Sequence, residues 1–149
     1  MRLGPLADFI GFHLRLAQEA SFQAFARRVG EVELSPGRFA LLMLIGENPG
    51  ISQAALGRAS GRDKSTLSPA VDDLQRRGLV VRERPAGDRR AYALSLTEAG
   101  AAMLATLTEH GRAHDRELDR IVGGAEKARF LRILRRIAIE LRDGETGGK

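Results

Sequence analysis

Arginine is concentrated in one part of the sequence, between residues 58 and 90. This stretch holds nine cations and five acids, and its excess of four positive charges is most of the chain's net charge of +5. The planar arginine fork suits phosphate oxygens and the edge of guanine, so the composition favours a surface that binds nucleic acid. A charge that only keeps the protein in solution is the alternative. The cations are Arg58, Arg62, Lys64, Arg76, Arg77, Arg82, Arg84, Arg89 and Arg90.

Small hydroxyl side chains crowd the start of a predicted fourth helix, which Gly78 closes. Such side chains can approach base edges, and a helix N-terminus favours phosphate. Pro69 lacks the N–H that a helix starting at Lys64 would use, so we expect the regular helix to begin at Ser65 or Thr66, or its first turn to be irregular. An ordinary capped helix is the alternative. The DNA contacts predicted in this region are Arg62, Lys64, Ser65, Thr66, Ser68, Pro69 and Asp72.

A β-hairpin is predicted from residues 79–84 and 91–96, with Asp88, Arg89 and Arg90 at its tip. A narrow cationic loop of this kind can lie along a minor groove, where the negative potential attracts arginine. We expect Asp88 to orient Arg90 through a charge-assisted hydrogen bond. A solvated turn is the alternative. The DNA contacts predicted in the hairpin are Arg84, Asp88, Arg89 and Arg90.

His110 and His114 are four residues apart, which places both imidazoles on one face of a predicted helix, a spacing that metal sites use. A metal would need further ligands, and the chain has no cysteine and only one other histidine, His13. We therefore expect no metal and no cofactor, and interpret the pair as part of a dimer or pocket face. A metal-sensing site built on this histidine pair is the alternative.

Apolar periodicity and capping residues predict six helices around the hairpin. Two short helices joined by a tight turn and followed by a hairpin indicate a winged helix-turn-helix, in a fold that is mainly α with a small β-hairpin. We expect one domain over residues 1–149, with a DNA-binding lobe at about 35–97 and N- and C-terminal dimerisation helices at about 5–29 and 98–142. The last helix is predicted at about 125–142.

The first and last predicted helices carry apolar stripes that the small core could not cover. Leu3, Leu6 and Ile10 lie on the first, and Ile133, Ile137 and Leu141 lie on the last. Unpaired stripes of this kind indicate a partner, and we expect a second copy of the chain.

Composition excludes several classes of protein. A hydrophobic fraction of 43% is typical of a globular protein. The lack of cysteine excludes disulfides, thiolate metal sites and peroxide sensing through a thiol. The sequence contains neither an apolar run of roughly 20 residues nor a signal-peptide pattern, so we expect a cytoplasmic protein that does not bind a membrane. It also lacks a nucleophile–base motif, a metal triad and a phosphate-binding glycine loop, so we expect no enzyme.

Residues 88–97, DRRAYALSLT, resemble the DxRxxxxxLT signature of the MarR family at all four fixed positions. Residues 65–68, 71–74 and 78–80 resemble that family's recognition helix and its exit, and residues 96–100 resemble its junction between strand and helix. The resemblance spans about residues 5–142.

This resemblance implies a homodimeric, sequence-specific transcriptional regulator, which we expect to be a repressor. It implies a recognition helix from each subunit in adjacent major grooves of a near-palindromic, double-stranded operator, with each wing on a flanking minor groove. It also implies a small organic effector, often an aromatic acid in such proteins, bound between the dimer helices and the DNA-binding lobe. A winged-helix module that binds protein is the alternative. The matching effector positions are Phe9, His13, Phe39, Met43 and Met103, of which Phe39 and Met43 could also be plain core.

Overall fold

The computed structural model, which describes residues 1–32, 34–87 and 92–146, begins with two helices where the sequence predicts one. A short 3₁₀ helix (Gly4–Asp8) precedes α1 (Ile10–Val29). Phe9 separates them with an extended backbone, φ −84° and ψ 113°. The prediction of one continuous helix over residues 5–29 is therefore wrong at Phe9. The N–H of Phe9 donates to the carbonyl of Leu6 at 3.2 Å. This bond spans three residues and closes a 3₁₀ turn, so the first helix ends before α1 begins.

The next helices, α2 (Pro36–Glu47) and α3 (Gln53–Ser60), begin where their capping residues predict. The Ser35 hydroxyl accepts a hydrogen bond from the backbone N–H of Arg38 at 3.3 Å. The Ser52 hydroxyl accepts one from the backbone N–H of Ala55 at 3.1 Å. Each satisfies a helix N–H that has no partner within the helix.

The turn between α3 and α4 (Lys64–Arg76) brings the two helices close together. Gly61 ends α3 in the left-handed region, with φ 68°. At Gly57, a Cβ would lie 3.2 Å from the carbonyl oxygen of Arg62 and 3.3 Å from a methyl carbon of Leu67. A small residue at this position therefore permits the close helix-turn-helix packing that fixes α4.

Three short strands form one antiparallel sheet in the order β1–β3–β2. The predicted hairpin is confirmed as β2 (Val80–Glu83) and β3 (Ala93–Leu96), with Val80 opposite Leu96. The sequence did not predict β1 (Ile51–Ser52), which pairs with β3. Two residues are too few to show the alternation that identifies a strand.

The core of the first of two compact units, Met1–Gly111, lies beneath the helix-turn-helix. Thr97 caps α5 (Glu98–Val122) by accepting from the N–H of Gly100 at 2.9 Å. Gly100 in turn sits so close to the carbonyl of Leu79 that a Cβ there would collide with it. The fully buried large side chains are Leu41, Leu42, Ile45, Leu56, Val71, Leu74, Val80, Leu94 and Leu107.

The second unit, Arg112–Lys149, contains the end of α5 and α6 (Gly124–Thr146). Gly123 divides the helices with φ 85°, and α6 extends a few residues beyond the predicted 125–142. Large apolar side chains on α6 are exposed: Phe130, Ile133, Ile139 and Leu141. Among the helices that the structure describes, none is long and apolar enough to cross a membrane.

Candidate nucleic-acid interface

Helix α4 has one buried and one exposed face. Leu67, Ala70, Val71 and Leu74 are buried against the core. Ser65, Pro69, Asp72 and Arg76 are exposed, and their spacing of three or four residues puts them on one face. The fold therefore exposes the predicted contacts Ser65, Pro69 and Asp72 on one face of α4, whereas the predicted contact Ser68 is half-buried.

Asp63 caps this helix, a role that the sequence interpretation missed. Its carboxylate accepts from the N–H of Thr66 at 2.8 Å, from the hydroxyl of Thr66 at 2.9 Å and from the hydroxyl of Ser65 at 2.8 Å. The Ser65 hydroxyl, followed by the N–H and hydroxyl of Thr66, holds the pKa of Asp63 below its ordinary value. An aspartate just before a helix is a known capping signal, so this role could have been found.

The cap also corrects the predicted start of the helix. The regular helix begins at Lys64, not at Ser65 or Thr66. Pro69, its sixth residue, cannot bond to the carbonyl of Ser65, yet the helix continues through it. The hydrogen bonds from Ser65 and Thr66 to Asp63 stabilise the first turn of the helix. The helix can therefore start at Lys64 although Pro69 leaves one of its carbonyl groups without a backbone partner.

The hydroxyl groups of α4 have defined hydrogen-bonding roles. A carboxylate can only accept, so Ser65 and Thr66 must donate to Asp63, and their oxygen lone pairs stay available as acceptors. Ser68 is the opposite case, since its hydroxyl accepts from the side-chain amide of Gln53 at 2.9 Å. Its own proton is therefore not used in that bond. The two kinds of hydroxyl can thus distinguish donors from acceptors on base edges.

Asp73 is a second carboxylate whose role the sequence did not indicate. One of its oxygens lies 2.6 Å from Nε of Arg38 on α2 and 3.2 Å from Nε of Arg77, and the other lies 3.2 Å from Arg76. Partial burial raises the pKa of Asp73, but the hydrogen bonds and charges of Arg38 and Arg77 together outweigh burial, and the pKa lies below its ordinary value. The ion pair connects α2 to the recognition helix.

The base of the wing carries a linked set of polar and aromatic contacts. Asp72 of α4 pairs with Arg82 of β2 at 2.8 Å, so its carboxylate is engaged within the protein. The guanidinium of Arg84 donates to the Tyr92 hydroxyl at 2.8 Å. Arg82 and Tyr92 were absent from the predicted site. The predicted wing-tip residues Asp88, Arg89 and Arg90 lie outside the described residues.

The two remaining predicted contacts, Arg62 and Lys64, flank the start of α4. Lys64 is exposed. Arg62 is half-buried, and its guanidinium lies so close to Gly37 that a Cβ at that glycine would collide with it. Arg62 therefore packs over the start of α2, while Lys64 extends the cationic rim.

Comparison with known proteins decides the family. The model of the MarR family matches residues 33–91. A putative transcriptional regulatory protein for the hcr operon of Thauera aromatica is 36% identical over 96% of this chain and 86% of that protein. The chain belongs to the MarR family. This confirms the predicted resemblance and the prediction of a DNA-binding transcription regulator instead of an enzyme.

Solved structures of MarR-type regulators confirm the winged helix-turn-helix fold. The repressor CouR bound to a 23-mer DNA duplex has a TM-score of 0.83 at 32% identity, over 93% of this chain and 98% of that one. CouR bound to p-coumaroyl-CoA has a TM-score of 0.83 at 30% identity, over 93% and 97%. The PcaV regulator of Streptomyces coelicolor, in complex with its natural ligand, has a TM-score of 0.85 at 29% identity, over 93% and 97%.

The effector positions expected for a MarR protein lie on three helical regions. Phe9 is exposed before α1, and the Nε2 atom of His13 lies 2.7 Å from the carbonyl oxygen of Ala7. Phe39 stacks on Phe25, with centroids 5.5 Å apart and rings 19° from parallel. Phe39 and Met103 are half-buried side chains that pack against the core, whereas Met43 is half-buried on α2.

The histidine pair of this MarR protein lies on α5, and both side chains are half-buried. Among the described residues, no three of His, Cys, Asp or Glu are grouped so that they could hold a metal ion. The absence of a metal stays a prediction.

Proposed function

We propose that this MarR protein represses transcription as a two-fold dimer on a near-palindromic operator, with α4 of each subunit in a major groove. The outward hydroxyls of α4 carry this proposal. Ser65 and Thr66 are available to accept from the amino groups of adenine or cytosine, and Ser68 is available to donate to guanine or thymine. The similar repressor CouR is known bound to a 23-mer DNA duplex, which supports the DNA-binding role by analogy.

The proposed contacts divide into those that read bases and those that position the protein. Residues of α4 read bases, cations bind phosphate, and Asp72 and Asp88 orient arginines. The lobe at about 35–97 carries these contacts, and the helices at about 5–29 and 98–142 form the dimer. The base contacts are Ser65, Thr66, Ser68 and Pro69, and the phosphate and wing contacts are Arg62, Lys64, Arg84, Arg89 and Arg90.

Exposed apolar surface supports the dimer. Leu3, Leu6 and Ile10 are 46%, 42% and 70% exposed near the N-terminus, and Leu141 on α6 is 72% exposed. Side chains of this size are usually covered in the working protein, and a second copy would cover both groups. The proposal also assigns the protein to the cytoplasm, where such a regulator meets its operator.

The proposed effector is an aromatic carboxylic acid, free or as a thioester. Its lining residues are Phe9, His13, Phe39, Met43 and Met103, which combine apolar surface with one polar ring. The complex of CouR with p-coumaroyl-CoA supports an aromatic thioester by analogy. The effector lowers DNA affinity by binding more tightly to a dimer whose recognition helices are wrongly spaced, and a tenfold loss requires about 1.4 kcal/mol of coupling.

A selection from randomised duplexes tests the DNA-binding proposal. The purified protein should enrich sequences with two inverted half-sites whose centres are about 10 base pairs apart. Binding should weaken steeply as salt rises, because phosphate contacts release counterions. Enrichment of unpaired half-sites, or salt-independent binding, would contradict the two-fold model.

A release assay on the selected operator tests the effector. Benzoates, hydroxycinnamates, their coenzyme A thioesters, zinc and peroxide are added separately to the preformed complex. Release by an aromatic compound, weakened in a Met103→Ala variant with unchanged DNA affinity, supports the proposal. Release by zinc alone, abolished in His110→Ala, would show instead that the protein senses metal.

A further inference from the structure

Arg84 and Tyr92 lie opposite each other, one residue beyond the last pair of β2 and β3. The ladder pairs Arg82 with Leu94 and Glu83 with Ala93. The same register, continued by one residue, places Arg84 across from Tyr92. Side chains directly opposite in an antiparallel pair are close enough to interact.

Two contacts fix the Arg84 guanidinium on Tyr92. Its Nη2 atom donates to the phenolic oxygen at 2.8 Å, and its Cζ atom lies 4.9 Å from the ring centroid. An exposed arginine otherwise samples many rotamers, and ordering them opposes binding. The two contacts together restrict where Arg84 can present its remaining N–H groups.

The tyrosine is itself connected to the recognition helix. The Cζ atom of Arg82 lies 5.8 Å from the Tyr92 ring centroid, and the guanidinium of Arg82 pairs with Asp72 of α4 at 2.8 Å. Arg82 has a side-chain exposure of only 21%, so it is held between helix and hairpin. A chain of contacts therefore leads from α4 through Arg82 and Tyr92 to Arg84.

The direction of the hydrogen bond determines what the tyrosine can still do. Arginine has donors and no acceptor, so the Tyr92 hydroxyl must accept from Arg84. Its own proton is not used in that bond and is available to a different acceptor. Two donors that belong to adjacent groups, one cationic and one phenolic, suit the oxygens of a single phosphate.

We propose that Tyr92 and Arg84 form a phosphate-binding pair at the base of each wing, in which Tyr92 positions the arginine and donates its hydroxyl proton to the same DNA phosphate. This inference rests on the proposed DNA-binding function, which already assigns Arg84 to phosphate, and adds Tyr92 as the residue that positions it and shares the phosphate. Tyr92 links that contact to α4, so the phosphate contact and the base-reading helix keep a fixed relation.

Affinity for the selected duplex, measured from about 50 to 200 mM salt, tests the pair. Tyr92→Phe retains the ring and loses the hydroxyl, and it should weaken binding about three- to tenfold. Arg84→Ala should weaken it more and lower the salt slope by about two, one phosphate per subunit. The double variant should bind more weakly than Arg84→Ala but lose less than the product of the two single losses, because the hydroxyl acts partly through the arginine. Arg2→Ala, which removes one exposed cation outside the proposed DNA-binding lobe and dimer helices, is the control for lost charge and should leave the slope unchanged.

The chain has a single tyrosine and no tryptophan, so fluorotyrosine gives one ¹⁹F signal that reports on Tyr92 alone. The signal of the free protein should move in Arg84→Ala, and in the wild type it should move again on duplex binding. Wild-type affinity and salt slope in Tyr92→Phe would overturn the proposal, as would multiplicative losses in the double variant. Failure of the wild type to bind any duplex would instead refute the proposed function, since the ¹⁹F signal of the free protein is read without DNA.

Discussion

Replacing Asp73 by asparagine should destabilise the protein by about 2 kcal/mol. The substitution retains the shape of the side chain but removes the charge that holds three arginines. Arg76 and Arg77 are 76% and 39% exposed, so their pairs contribute little. The bond to Arg38 differs, because it is 2.6 Å long and the Asp73 carboxylate is only 14% exposed to solvent. It connects α4 to α2. A hydrogen bond to a charged group contributes about 1.5–3 kcal/mol, and this bond accounts for most of the loss.

Thermal unfolding followed by circular dichroism measures the effect. For a chain of this size, about 2 kcal/mol corresponds to a fall in Tm of about 4–8 °C. The neighbouring Asp72→Asn is a matched control, since its carboxylate is 54% exposed and pairs with one arginine. It should cost less than about 1 kcal/mol. All proteins are compared at one concentration, because the stability of a dimer depends on it.

The pH dependence of stability tests whether the charge of Asp73 is what stabilises the contact between α2 and α4. Because the folded pKa of Asp73 lies below its unfolded value of about 3.9, its stabilisation is complete above that value and is lost as pH falls through the folded pKa. The gap in Tm between wild type and Asp73→Asn should therefore be constant from about pH 5 to 7 and should narrow below about pH 4. A gap that is absent at pH 7, or one that Asp72→Asn matches, would refute the assignment of Asp73 as the bond between α2 and α4.

Three further predictions follow from other contacts. Gly100→Ala should cost about 1–3 kcal/mol in urea unfolding, because its Cβ would collide with the carbonyl of Leu79; an unchanged midpoint would contradict this packing. Asp63→Ala should lower the urea midpoint through loss of the cap and should also weaken operator binding, as measured by anisotropy. Ile133→Asp should convert a dimer into a monomer in sedimentation at micromolar concentration, and a dimeric variant would exclude this face from the interface.

The sequence predicted correctly the helices whose ends are marked by local capping or terminating residues. Ser35 and Ser52 cap the helices that follow them, and Gly78 closes α4 with φ 70°. The strand β1 has no such signal, because two residues show no period. Pro69 misled the prediction of where α4 begins, since its missing N–H was given more weight than the cap that precedes the helix.

The contacts that organise the interface were harder to predict, because they join distant parts of the sequence. Arg38 and Asp73 are separated by 35 residues, and nothing in either local segment indicates the other. Tyr92 counts as an ordinary strand residue until the hairpin register places it beside Arg84. The cationic character of residues 58–90 could be counted from the sequence, whereas the partners of each charge depend on the packing.

The acids of the recognition helix show why a count of charge is an incomplete guide to a DNA-binding surface. By net charge, each aspartate opposes binding to phosphate. In the structure, Asp63 holds two hydroxyls, Asp72 holds Arg82, and Asp73 holds Arg38. Each carboxylate thus orders a donor or a cation that would otherwise be flexible, and ordered groups lose less entropy on binding. Removing these acids would make the surface more basic, which favours any polyanion, and at the same time would loosen the geometry that distinguishes one DNA sequence from another.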